Sequence, residues 1–161
     1  MSISKKTRFA SIGTTIICIS MITLPAAHST SRHTSLLNVV EHATTDDIRI
    51  HGGSAADNIG DVVTFTNDIY NSSNTKRLGQ DHGFCIRLAV GKSMECHWTL
   101  MLPEGQIIAD GPVFDHTDTL MAVTGGTGEW VGARGEVSIH ARDPKNSSYD
   151  FHYRLLQLNN D

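Results

Sequence analysis

Among its 161 residues the chain has only four prolines and three cysteines, no segment of clear helical period and no internal repeat. The longest apolar run, Phe9 to Leu24, is diluted by Ser, Thr and Gly. It is too short and too polar for a comfortable membrane span, which needs about 20 mostly apolar residues. There is no Gly-Xaa-Ser-Xaa-Gly elbow, which removes the usual hydrolase nucleophile. Gly125-Gly126-Thr127-Gly128 is no phosphate cradle, because no helix is expected after it to receive the anion. It reads instead as a strand-to-strand turn needing positive φ. Nine histidines are scattered singly, none in a metal-ligand spacing, so no metal site is expected.

The first residues read as an address. Lys5, Lys6 and Arg8 precede the apolar run, and Pro25-Ala26-Ala27-His28-Ser29 offers small residues at a cleavage site. That is the layout of a secretory signal peptide over residues 1–29, with an uncleaved N-terminal anchor as the alternative. Removing it leaves one domain over residues 30–161, enough for a real core. The remainder has ten Lys and Arg against seventeen Asp and Glu, a net charge near −7. No basic cluster offsets that charge, which argues against nucleic acid as a partner. Cys18 leaves with the leader, so Cys85 and Cys96 are the two remaining thiols. In a secreted or periplasmic protein they would form a disulfide across a hairpin turning near Val90–Ser93. Two buried free cysteines are the alternative.

What is present is alternation. Met94, Cys96, Trp98, Leu100 and Leu102 take one face of a segment whose other face holds Glu95, His97 and Thr99. Val137, Ile139 and Ala141 behave in the same way, as do Tyr149, Phe151, Tyr153 and Leu155. Period-2 patterning of this kind marks strands with one buried face. Further strands are expected over 36–42, 47–51, 61–70, 84–90, 106–114 and 118–124, with loops over 52–60 and 71–82. The joins carry turn chemistry, as in Pro103-Glu104-Gly105 and Asp143-Pro144-Lys145-Asn146. Short strands with hairpin-length joins favour an all-β meander that closes on itself, or a sandwich. Closure with about eight strands leaves room for one small ligand inside.

Polar residues on interior-reading faces are the candidates for chemistry. Leu37, Val39 and Glu41 share one side of the first strand, and Val63, Phe65, Asn67 and Ile69 one side of the third. A buried carboxylate or amide costs a few kcal/mol unless it is paired. Glu41 would then be an acid, a base or a stabiliser of positive charge, with its pKa raised by burial; alternatively it sits at a strand end in solvent. Arg87 is ambiguous. If Cys85 faces inward, Arg87 does too, and could pair with Glu41 or hold an anionic group; if Ile86, Leu88 and Val90 face inward, it is a solvated charge.

The stretch Gly60-Asp61-Val62-Val63-Thr64-Phe65-Thr66-Asn67 resembles a segment of the allene oxide cyclases. Lys76-Arg77, Gly79, Gly83-Phe84-Cys85, Gly111-Pro112 and Val123-Thr124-Gly125-Gly126-Thr127-Gly128 continue the likeness in order, over roughly residues 37–157. The last motif, with Ala133-Arg134-Gly135, is also similar to dirigent proteins. The resemblance implies a closed eight-stranded antiparallel up-and-down β-barrel, lipocalin-like in architecture, with no metal or organic cofactor and often a homo-oligomer, dimer or trimer. It places Glu41 at the family's carboxylate and Asn67 at its water-holding amide. Val63, Phe65 and Cys85 fall on the cavity wall, and Val113 stands where the family carries a Tyr.

These readings together give an exported, cofactor-independent cyclase or isomerase acting on a small apolar molecule, polyene or oxylipin-like, inside the barrel. Glu41, Asn67 and Arg87 are the candidate catalytic residues. Val39, Val63, Phe65, Cys85, Met94, Trp98 and Val113 are the candidate ligand contacts. The alternative is a non-catalytic, lipocalin-like or dirigent-type binding protein.

Overall fold

A computed structural model describes residues 33–45, 47–49 and 57–157. The leader proposed over residues 1–29 lies outside them. Nine strands follow in order: β1 (His33–His42), β2 (Asp47–Arg49), β3 (Val62–Asn71), β4 (Arg77–Ala89), β5 (Ser93–Leu102), β6 (Gly105–Phe114), β7 (Thr119–Gly126), β8 (Arg134–Ala141) and β9 (Ser148–Gln157). Every neighbouring pair is antiparallel, in the spatial order β1-β9-β8-β7-β6-β5-β4-β3. The ring closes where Val39–His42 of β1 meets Asn71–Asp68 of β3. Short β2 covers the other end of β3, pairing Asp47–Arg49 with Thr64–Val62. The result is the expected closed eight-stranded barrel, with β2 as a ninth, partial strand, and closure leaves no long free edge.

The alternation expected for β5, β8 and β9 holds. Cys96, Trp98, Leu100, Val137, Ile139, Phe151, Tyr153 and Leu155 are all buried. Tight joins fit the turn residues; Pro103 and Glu104 alone connect Leu102 to Gly105, which is paired with it and adopts φ 146°. Two expectations need correcting. Residues 71–82 are not one loop, because β4 begins at Arg77. A three-residue 3₁₀ turn, Gly128–Trp130, follows Thr127 where no helix was expected. It folds back so that the Glu129 N–H donates to the Glu104 carbonyl at 2.9 Å, closing over the β5–β6 turn.

Cys85 and Cys96 face each other across β4 and β5, and their sulfurs are bonded. That settles the facing of β4. Asp81, Gly83, Cys85 and Arg87 point inward, while Phe84, Ile86 and Leu88 point out, between 37% and 55% exposed. Among the described residues no helix is long and apolar enough to cross a membrane.

Candidate active site

The lower half of the barrel is solid. Ile69, Leu100, Ile107, Met121, Val137 and Tyr153 are almost wholly buried and fill it. Trp98 seals the top of this layer: its indole N–H donates to the Tyr153 hydroxyl at 3.0 Å and its ring stacks on Phe151, with centroids 5.3 Å apart. Burial raises the Tyr153 phenol well above its ordinary range, so it stays neutral and serves as that acceptor.

Above Trp98 lies a cavity of about 150 Å³. Val63, Phe65, Cys85, Met94, Trp98 and Val113 line it, six of the seven residues expected to touch ligand. Val39 does not line it; that side chain is packed within the solid core. Ile139, Tyr149 and Phe151 complete the wall. The wall has its present shape because residue 83 is glycine. A Cβ there would stand 2.5 Å from Phe65 Cζ and 2.6 Å from Trp98 Cβ, closer than packed atoms tolerate. Met94, Val113, Ile139 and Tyr149 also line a wider vestibule of about 700 Å³, so the cavity opens through it to solvent.

Glu41 and Asn67 meet in this cavity. The Asn67 amide donates to Glu41 Oε1 at 2.8 Å, and both side chains are buried. Its orientation is fixed from the other side. The Asn67 carbonyl oxygen accepts from the backbone N–H groups of Thr44 and Thr45, each at 3.1 Å, and lies 2.8 Å from the Thr45 hydroxyl. With the oxygen so held, the NH₂ must point at Glu41.

Sequence reasoning missed Asp81. It pairs in register with Asn67 across β3 and β4 and is wholly buried, in hydrogen-bond contact with Glu41. Burial, foremost, and the adjacent negative charge of Glu41 hold Asp81 well above the ordinary carboxyl range. Two buried carboxyls in hydrogen-bond contact disfavour ionising together, because like charges repel strongly away from water. Neither Asp81 oxygen has a well-aligned donor among the described residues, as suits a group that itself gives a proton to its neighbour. Glu41 accepts from Asn67, whereas burial and the Glu41 charge hold Asp81 toward its neutral form. The loop expected over 71–82 hid this residue. The usable signal was Asp81 standing two and four positions before Gly83 and Cys85, on the face that Cys85 defines.

Arg87 does face inward, but at the vestibule rather than beside Glu41. Its Nε donates to Asp57 at 2.9 Å and its Nη1 to Asp115 at 2.7 Å, and it does not line the deep cavity. The geometry therefore gives it a role at the mouth, where it ties residue 57 to the β6–β7 turn. No group of three or more His, Cys, Asp or Glu side chains that could hold a metal ion occurs among the described residues.

The described residues thus form a closed antiparallel barrel whose deep cavity ends on a buried carboxyl pair. The chain belongs to the allene oxide cyclase family, whose sequence profile matches residues 34–156. Several solved structures share the barrel. A pyocyanin demethylase superposes with a TM-score of 0.64 at 23% identity, over 75% of this chain and 99% of that one. AbnU, an exo-specific intermolecular Diels-Alderase, gives 0.65 at 16% identity, over 79% and 99%. A pterocarpan synthase dirigent protein gives 0.61 at 16% identity, over 80% and 86%. At these identities the three share the fold.

Proposed function

We propose that the chain is a cofactor-independent isomerase or cyclase that confines a small, largely apolar substrate above Trp98 and moves a proton through Glu41. The observation that carries this is the Glu41–Asp81 pair at the inner end of an apolar cavity. In such a pair one carboxyl is a base and the other an acid at the same pH. Glu41 touches the cavity and takes a proton from one position of the substrate. It returns that proton at another, so the enzyme ends unchanged and substrate and product are isomers. Asp81, behind it, keeps the second proton of the pair, and Asn67 holds the Glu41 carboxylate toward the cavity. Ring closure, where it occurs, gains from holding the reacting ends together, an effect that can reach about 7–11 kcal/mol.

Glu41→Gln keeps the shape and removes the base. Turnover should fall about 10²–10⁴-fold while ligand affinity stays within a few-fold. Equal losses in both, or undiminished turnover, contradict the catalytic role. The dirigent-type alternative, a carrier that returns its ligand unchanged, would show binding with no conversion by either protein.

The same reading has the protein act outside the cytoplasm. The leader-like residues 1–29 support export, and the Cys85–Cys96 bridge is compatible with an oxidising compartment. The outward row of Phe84, Ile86 and Leu88 supports self-association through β4. Ile86→Lys should then shift the sedimentation coefficient toward that of a monomer.

A further inference from the structure

The mouth of the cavity has one carboxylate more than it has guanidinium groups, and both guanidiniums are committed to aspartates. Two arginines line the vestibule. Arg87 is bound by Asp57 and Asp115, and Arg142 lies 3.6 Å from Asp150. Asp118 and Asp143 line the same space. The vestibule wall thus carries three carboxylates, Asp115, Asp118 and Asp143, against two guanidinium groups, with His116 beside them and His140 Nδ1 2.8 Å from Asp118. Asp143 stays ionised because the Ser147 hydroxyl and nearby backbone N–H groups hold its carboxyl below the usual range. Lys92 and Lys145, on neighbouring turns, do not line the vestibule. Farther in, the walls present aromatic rings: Phe65, Trp98, Tyr149 and Phe151. Ring faces carry negative quadrupole density and attract cations or electron-poor rings. Mouth and wall therefore select in the same direction, and both act against an anion.

We propose that the natural substrate is a compact aromatic cation and that the site rejects carboxylated chains. This rests on the catalytic reading of the cavity, since it names the substrate class of that same site. A volume of about 150 Å³ above Trp98 suits a fused pair of rings, with any polar substituent left in the vestibule. Asp115 and Arg87 set the charge preference: Asp115 supplies negative potential at the mouth, and Arg87 limits it.

Three probes of one shape test this: N-methylquinolinium, 2-methylnaphthalene and 2-naphthoate. Their affinities are measured by calorimetry on the full chain at low salt and neutral pH. The expected order is cation, neutral, anion, with about tenfold between cation and anion or more. The gap should narrow as salt is raised. Asp115→Asn should strengthen naphthoate and weaken the quinolinium, and Arg87→Gln should do the reverse. In Trp130→Phe, which leaves Trp98 as the single tryptophan, quenching by the quinolinium should report occupancy of this cavity. Naphthoate binding as tightly as the cation, an order insensitive to both variants, or no binding by any of the three overturns the proposal. Binding order is read without turnover. A protein that prefers the cation but converts nothing would therefore fail only the catalytic reading.

Discussion

Replacing Asp81 by asparagine probes the proton that the pair is said to hold. In the folded chain the Asp81 carboxyl is raised well above its ordinary value, first by burial and then by Glu41. In the unfolded chain it titrates near 4. Between those two values the native state carries one proton that the unfolded state has lost. Stability therefore falls as pH rises across that window, by up to about 1.4 kcal/mol per pH unit, and is fully present only below pH 4. The substituted amide keeps the size and offers an N–H to Glu41 in place of the O–H, but has nothing to titrate. The two proteins should be similarly stable at pH 4, and the variant should become progressively the more stable as pH rises. Asp68 and Asp143 act in the opposite sense, held below the ordinary range by hydrogen bonds from Arg77 and Ser147. They are common to both proteins and cancel in the difference. Urea unfolding followed by tryptophan fluorescence, repeated from pH 4 to 8 with the disulfide intact, measures it. Parallel stability curves, or a variant that loses ground as pH rises, refute the shared proton.

Three further outcomes follow from the packing. Gly83→Ala must push Phe65 or Trp98 aside, so it should cost about 1–3 kcal/mol and weaken any cavity ligand, which thermal unfolding with and without ligand would show. Trp98→Phe removes the hydrogen bond to a buried Tyr153 hydroxyl and leaves space above it; a loss of about 1–3 kcal/mol in urea unfolding is expected. Reducing Cys85–Cys96, or replacing both by serine, opens a loop between residues 11 apart in sequence. That should lower stability by about 3 kcal/mol on the chain-entropy account, read from denaturation with and without reductant.

How much of this was legible beforehand depended on what each strand buries. In β5 every inward residue from Met94 to Leu102 is apolar, so the period alone reveals it. The first half of β4 is the opposite case. Its inward residues are Gly79, Asp81 and Gly83, a sequence that reads as loop until its surroundings are known. Gly79 and Gly83 are small because a Cβ would strike Met101 or Phe65 and Trp98, and Asp81 is a carboxyl whose burial raises its pKa and favours the neutral form. Glu41 and Asn67 could be picked out because each interrupts an apolar face. Arg87 could not be placed, because the facing of β4 depended on the disulfide, and its partners Asp57 and Asp115 lie 30 and 28 residues away in sequence. Distances across a closed sheet are set by register, which the sequence of one strand does not contain.

The proposed chemistry turns on a carboxyl pair that stays half-protonated at neutral pH inside an apolar cavity. Selective ¹³C labelling of Asp and Glu side-chain carboxyls, assigned with Asp81→Asn and Glu41→Gln, follows each group through a pH titration. At pH 7 the Asp81 carbon should keep the shift of a protonated acid, while Glu41 shows that of a carboxylate. Both carbons titrating together near pH 4, as exposed side chains do, would contradict it.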